Sequence, residues 1–214
     1  MRQIYLIRHA QTRYVADEPD EHRPLTAKGH EQAAALCHAL HALGIEEIHS
    51  SPFRRCVDTI GPFAERTGLS VNHVVGLRER CFTSDFVHDW DTLWKKVWTD
   101  FDFALPDGES SRQAQARMYD ATLEVARVSR ARTLAISSHG NVIGLLLQHI
   151  DPRFSFEHAC AIRNPDVLRV TFDGAALRWD AEFSLGALAS FATRVDTKTH
   201  FAARSSDPIG RVRT

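Results

Sequence analysis

Arg8 and His9 stand side by side where a short apolar run, Gln3 to Ile7, gives way to polar residues. A guanidinium is a planar fork of donors that suits phosphate oxygens. An imidazole beside a fixed cation is biased towards its neutral form, in which a ring nitrogen can act as a nucleophile. Buried in a core without partners, both groups would lose hydration at a cost. At the carboxyl end of a strand the pair makes sense, because open α/β sheets bind ligands there. A histidine at a strand end is also a common structural residue, so the weight falls on what accompanies it.

Three further places carry suitable chemistry. Ser51-Pro52-Phe53-Arg54-Arg55 opens a helix that Gly68 closes, with Pro52 suited to its first turn. A helix start already favours anions through its free N–H groups and macrodipole, and two arginines strengthen that preference. Thr133 to Ser137 is a second apolar run whose exit carries a histidine, in Ser138-His139-Gly140-Asn141. Glu79 lies between Arg78 and Arg80, an arrangement that on a surface is worth little. Two imidazoles and several guanidiniums gathered at one sheet edge would bind a dianion and stabilise a transferring phosphoryl group.

Other phosphate machinery is missing from the sequence. There is no G-x-x-x-x-G-K-[ST] loop, no G-x-G-x-x-G fingerprint and no G-x-S-x-G elbow. A cysteine phosphatase needs Arg six residues after its nucleophile, but Cys37, Cys56, Cys81 and Cys160 are followed there by Leu43, Pro62, Val87 and Asp166. The 12 histidines include no H-E-x-x-H and no repeating metal-ligand spacing. A histidine nucleophile is what remains.

The elements that must position these groups alternate in type. Strands are expected over Gln3–Ile7, Ile45–Ser50, Ser70–Val75 and Thr133–Ser137, with a hairpin of Leu168–Phe172 and Ala176–Phe183 across Asp173-Gly174. Helices are expected from Thr26, as N-cap, to Gly44, from Pro52 to Gly68, from Asp85 to Thr99, from Ser110 to Ser129, and from Gly140 to Ile150. The aromatic stripe Phe86, Trp90, Trp94 reads as packing rather than a stacking platform. Strand–helix alternation with short loops argues for an α/β fold with a mostly parallel central sheet and helices on both faces. Tyr14–Pro24 is a polar loop placed to border the site.

Composition sets the outer limits. The chain has 214 residues, 43% hydrophobic and 25% charged, with a formal net charge of −1. That length suits one domain, and the charge offers nothing to nucleic acid or a membrane surface. No apolar run approaches the roughly 18 residues of a membrane span, and no secretory h-region precedes Arg8. Scattered cysteines without C-x-x-C fit a reducing cytoplasm.

Six ordered segments together resemble the histidine phosphatase superfamily, which includes the cofactor-dependent phosphoglycerate mutases. Leu6-Ile7-Arg8-His9-Ala10-Gln11-Thr12 is similar to R-H-G-[E/Q]-[S/T], with Ala10 for Gly, and Leu25 to Ala33 is similar to L-T-x-x-G-x-x-Q-A. Ser51 to Thr59 resembles S-x-L-x-R-A-x-x-T, which assigns the phosphate arginine to Arg55 rather than Arg54. Leu77-Arg78-Glu79-Arg80 resembles the segment that carries the family's acid, Pro106-Asp107-Gly108-Glu109-Ser110 its P-G-G-E-S, and Ser138-His139-Gly140 its second histidine. The resemblance spans roughly residues 1 to 180 and implies a phosphoglycerate mutase-like three-layer sandwich. Residues 1–183 would be the histidine phosphatase domain, and 184–214 a C-terminal helix with a basic tail.

The resemblance also implies a mechanism. His9 would attack phosphorus, Glu79 would protonate the leaving oxygen and then help water, and Arg8, Arg55 and His139 would hold the phosphoryl oxygens. Gln11, Thr12, Gly140 and Asn141 are the further phosphate or substrate contacts, with no metal and no cofactor. Glu109 is the alternative acid. The family's common Asn six residues after the nucleophile is Val15 here, and Glu79 is followed by Arg80-Cys81-Phe82-Thr83-Ser84 rather than an aromatic-Gly turn. The expected activity is hydrolysis of a small phosphorylated metabolite, with a mutase or a silent phosphate-binding module as alternatives. Trp90, Trp94, Trp98 and Arg78 are candidates for the entrance, and a homodimer is left open.

Overall fold

A computed structural model describes residues 1–13, 18–83, 87–183 and 185. The expected helix over Ser184–Arg194 and the basic tail lie outside the described residues. Six strands form one sheet in the order β3-β2-β4-β1-β5-β6. They are β1 (Arg2–Arg8), β2 (Glu47–Ser50), β3 (Val71–His73), β4 (Thr133–Ser138), β5 (Asp166–Phe172) and β6 (Leu177–Asp180). The first four run parallel, while β5 is antiparallel to β1 and β6 antiparallel to β5 at one side.

Both faces of the central strands are buried, as their continuous apolar runs require. Along β1, Ile4 and Leu6 face one layer while Tyr5 and Ile7 face the other. The first layer holds α3 (Trp90–Thr99), α4 (Ser111–Val128) and α5 (Gly140–Ile150), which contribute Val97, Met118 and Ile143. The opposite layer holds α1 (Ala27–His41) and α2 (Arg54–Thr67), which contribute Leu40, Ile60 and Phe63. Helix, sheet and helix make the three-layer sandwich.

Local chemistry sets the helix ends. Thr26 caps α1 by accepting from Gly29 N at 2.9 Å. Ser110 and Gln113 form a reciprocal capping box on α4. Gly68 ends α2 at φ 72°, a conformation that glycine adopts without strain. α2 starts at Arg54 and not Pro52, because Phe53 is the extended N-cap residue. α3 starts only at Trp90, after Asp89 accepts from Thr92 N at 3.0 Å. Trp90 and Trp94 of the aromatic stripe pack against the core beside Leu93 and Val97, and Phe86 lies outside the described residues. A short helix α6 (Phe156–Ala161) has no counterpart in the expected pattern.

Candidate active site

The sheet register brings the two histidines together. Arg8 pairs with Ser138 across β1 and β4, so the next residue of each strand is a histidine, and His9 N donates to Ser138 O at 3.1 Å. α1 then leaves on one face and α5 on the other, which opens a crevice at the carboxyl ends of the two strands. The imidazole rings meet edge to face with centroids 5.3 Å apart.

His9 is held by its backbone and by one ring nitrogen. Its carbonyl accepts from Asn164 Nδ2 at 2.8 Å, and Ala10 N donates to Thr59 Oγ1 at 2.9 Å. Ala10 has an ordinary negative φ, so nothing in the backbone demands the family's glycine. His9 Nδ1 lies 2.8 Å from Ala10 O. A carbonyl only accepts, so Nδ1 carries the proton and Nε2 keeps its lone pair. Burial, then the charges of Arg55 and Arg8, hold the His9 pKa well below its ordinary value. The ring is a neutral base at neutral pH.

Arg55 fixes the second imidazole. Its Nε donates to His139 Nδ1 at 3.1 Å, which leaves the His139 proton on Nε2, donated to Ser51 Oγ at 2.9 Å. Burial and the Arg55 charge keep His139 neutral as well. Phe53 wedges the pair, with its ring 5.2 Å from that of His139 and 4.9 Å from the Arg55 guanidinium carbon. Arg54 stays at the surface, ion-paired with Asp58. Cys56 lies against His139 at 3.4 Å, but burial pushes its thiol up to about 12, so it is no nucleophile.

Arg8 crosses under the start of α5 and donates through Nη1 to Ile162 O. Its Nε is buried without a hydrogen-bond partner, as are both amide atoms of Asn141. A Cβ on Gly140 would stand 2.7 Å from Arg8 Nε and 2.8 Å from the guanidinium carbon. Any larger residue here would therefore push the Arg8 side chain aside. Gly140→Ala is expected to lower kcat/KM about 10²-fold by displacing the guanidinium. Steady-state kinetics beside a thermal melt would separate that loss from unfolding.

Glu79 reaches the same helix start. Its carboxylate accepts from Arg80 N at 2.9 Å and, more distantly, from Val142 N at 3.3 Å and Asn141 N at 3.4 Å. Burial raises its pKa, against the hydrogen bond from Arg80 and the charges of Arg55 and Arg8. Glu109 behaves in the opposite way. It sits between Arg78 and Arg117 with four contacts of 2.7–2.8 Å. Burial alone would raise its pKa, but these bonds outweigh it and hold the carboxyl at about 2. Glu109 is a structural anion and Glu79 the protonatable one.

Gln11 and Thr12 also serve the scaffold. Gln11 Oε1 accepts from Thr26 Oγ1 at 2.8 Å, and its backbone carbonyl accepts from Thr26 N. Thr12 bridges to Leu25. Both residues lash the turn to the start of α1, whose unpaired end groups need partners. Trp98 is buried in the core and Arg78 is committed to Glu109, so neither lines an entrance.

A model of the histidine phosphatase superfamily, branch 1, matches residues 4–181. The chain belongs to this superfamily. A probable phosphoglycerate mutase of Enterobacter sp. (strain 638) is 27% identical over 185 residues, which cover 80% of this chain and 86% of the relative. A mycobacterial glucosyl-3-phosphoglycerate phosphatase, solved with inorganic phosphate, superposes with a TM-score of 0.70 at 23% identity, over 84% of this chain and 95% of the other. A phosphoserine phosphatase mutant of Entamoeba histolytica, solved with phosphoserine, gives 0.69 at 19%, over 85% and 96%. At such identities the two structures establish the shared fold, which is phosphoglycerate mutase-like.

The site also rests on residues whose contacts the sequence patterns did not reveal. Asn164 reaches His9 from the segment between α6 and β5. Gln32 of α1 links Gln11 N to Asn164 O through contacts of 3.0 and 2.9 Å. Ser51, Phe53 and Thr59 lie inside a recognised segment, yet only the fold shows what each one holds. Among the described residues, no group of three or more His, Cys, Asp or Glu is placed to hold a metal ion. Nor is any helix among them long and apolar enough to cross a membrane.

Proposed function

We propose that the protein hydrolyses small phosphomonoesters, without a metal, through a phosphohistidine on His9. The observation that carries this reading is the pinned His9 ring, which presents an unprotonated Nε2 beside Arg8, Arg55 and His139. In the first step Nε2 attacks phosphorus, the P–O bond to the leaving group breaks, and Glu79 gives its proton to that oxygen. In the second step water attacks the phosphohistidine, Glu79 takes the water proton, and the P–N bond breaks to release inorganic phosphate. The guanidiniums offset charge on the equatorial oxygens, and the His139 Nε2–H joins them by exchanging its Ser51 Oγ acceptor for a phosphoryl oxygen. The orphaned Arg8 Nε and Asn141 amide supply donors that an anion would satisfy.

The pKa directions set the pH profile. kcat/KM falls on the acid side as His9 protonates, below its ordinary pKa of about 6.5. It falls on the alkaline side as Glu79 loses the proton needed by the leaving group, above the ordinary glutamate value. Glu79→Gln is expected to abolish the alkaline limb and to lower kcat by about 10²–10⁴, while binding inorganic phosphate normally. An alkaline limb unchanged in that variant would remove Glu79 from the acid role.

A mutase is the second reading, favoured by the names of curated relatives such as the probable phosphoglycerate mutase above. Val15, in place of the Asn donor that the mutases carry, weighs towards hydrolysis. Incubation with a phosphoglycerate separates the two: isomerisation with little phosphate release favours the mutase, and phosphate release favours the phosphatase.

A further inference from the structure

The short 3-10 turn Asp20–His22 lies over the Arg55 guanidinium, and its first residue takes both outer nitrogens. Arg55 Nη1 donates to the Asp20 carbonyl at 2.6 Å, and Nη2 donates to Asp20 Oδ2 at 2.9 Å. The second carboxylate oxygen, Oδ1, pairs with Arg23 Nη2 at 2.6 Å. Burial divides the partners, since the Arg55 side chain is 2% exposed and that of Asp20 is 45% exposed. From inside, Arg55 Nε is held on His139. The cation is therefore fixed, and the carboxylate approaches it from the solvent side.

A guanidinium fork binds one oxyanion face-on through two parallel donors. The Arg55 donors that face outward are the ones a phosphoryl group needs, and Asp20 holds both. Binding at this cation is then an exchange of one anion for another, and the difference between the two decides it. Asp20 carries one charge and, being tethered, acts at high effective concentration. A phosphomonoester dianion brings two charges to Arg55 and Arg8. A monoanion such as a phosphodiester brings no more than the carboxylate already there.

We propose that Asp20 is a specificity-determining latch, whose carboxylate and backbone carbonyl together occupy the Arg55 fork and yield it to phosphomonoester dianions in preference to monoanions. The proposal rests on reading the His9–Arg55 crevice as a phosphomonoester site. It assigns to the turn a cost in affinity for every anion, smallest for the dianion. After the exchange the turn swings outward, where half-exposed Asp20 regains water.

Isothermal titration of the full chain with inorganic phosphate and with dimethyl phosphate, at mildly alkaline pH, tests the latch. Asp20→Asn keeps the size and removes the charge, and Asp20→Glu keeps the charge. The expected result is about tenfold tighter phosphate binding by Asp20→Asn, newly measurable binding of dimethyl phosphate, and wild-type behaviour for Asp20→Glu. Equal or weaker phosphate binding by Asp20→Asn would overturn the latch and make Asp20 a residue that merely orients Arg55. Turnover of phosphomonoesters, followed in parallel, judges the phosphatase reading separately. Tighter phosphate binding without turnover would keep the latch and remove the phosphatase. No phosphate binding by either protein would overturn both.

Discussion

Alanine in place of His9 is expected to lower phosphomonoesterase activity by on the order of 10⁴-fold or more, with folding and phosphate affinity largely retained. The proposed route has one nucleophile, and nothing nearby can replace it. The second imidazole uses Nδ1 to accept from Arg55 and Nε2 to donate to Ser51, so it has no free lone pair. The nearest thiol, Cys56, is held in its protonated form by burial. Loss of the His9 ring removes little packing, because the backbone on either side stays anchored by Ser138, Asn164 and Thr59. A melting temperature close to wild type beside a collapse of kcat is the signature. Residual turnover within tenfold of wild type would assign the nucleophile elsewhere.

Arg55 should show the second-largest effect, and the conservative change is the informative one. Arg55→Lys is expected to lower kcat/KM by about 10²–10³-fold, and Arg55→Ala by about 10³–10⁵-fold. Lysine keeps the charge but is a point donor on a flexible stem. Arginine here does two things at once: its Nε sets the His139 tautomer, and its outer nitrogens form the fork. An ammonium in that position cannot do both. Arg54→Lys, at the exposed neighbour, is expected to leave the kinetics unchanged, since that side chain pairs with Asp58 at the surface. Comparable losses at Arg54 and Arg55 would contradict the assignment.

Much of this arrangement was legible in the sequence for definite reasons. Strand ends betray themselves when an apolar run stops at a polar residue, so His9 and His139 were visible as strand exits. Helix ends follow local rules, so Thr26, Ser110 and Gly68 were found where their caps require them. The contacts that escaped notice are long-range. Asp20 sits in a polar stretch that reads as solvated loop, and its partner Arg55 lies 35 residues away. Asn164 is 155 residues from the His9 carbonyl that it holds. No periodicity reports such a meeting. Gln11 is also long-range in part, because its side-chain and backbone oxygens look free in sequence while Thr26 donates to both. Glu79 and Glu109 are each near arginines in sequence, and only the guanidiniums that touch each one separate the carboxyl raised by burial from the one held low.

The most direct test of the account is rapid-quench trapping of a phosphoenzyme from labelled phosphomonoester, followed by peptide mapping. The account predicts an acid-labile, alkali-stable label on the peptide bearing His9, absent from His9→Ala and slower to discharge in Glu79→Gln. Steady turnover with no trapped label, or a label on any other residue, would contradict it.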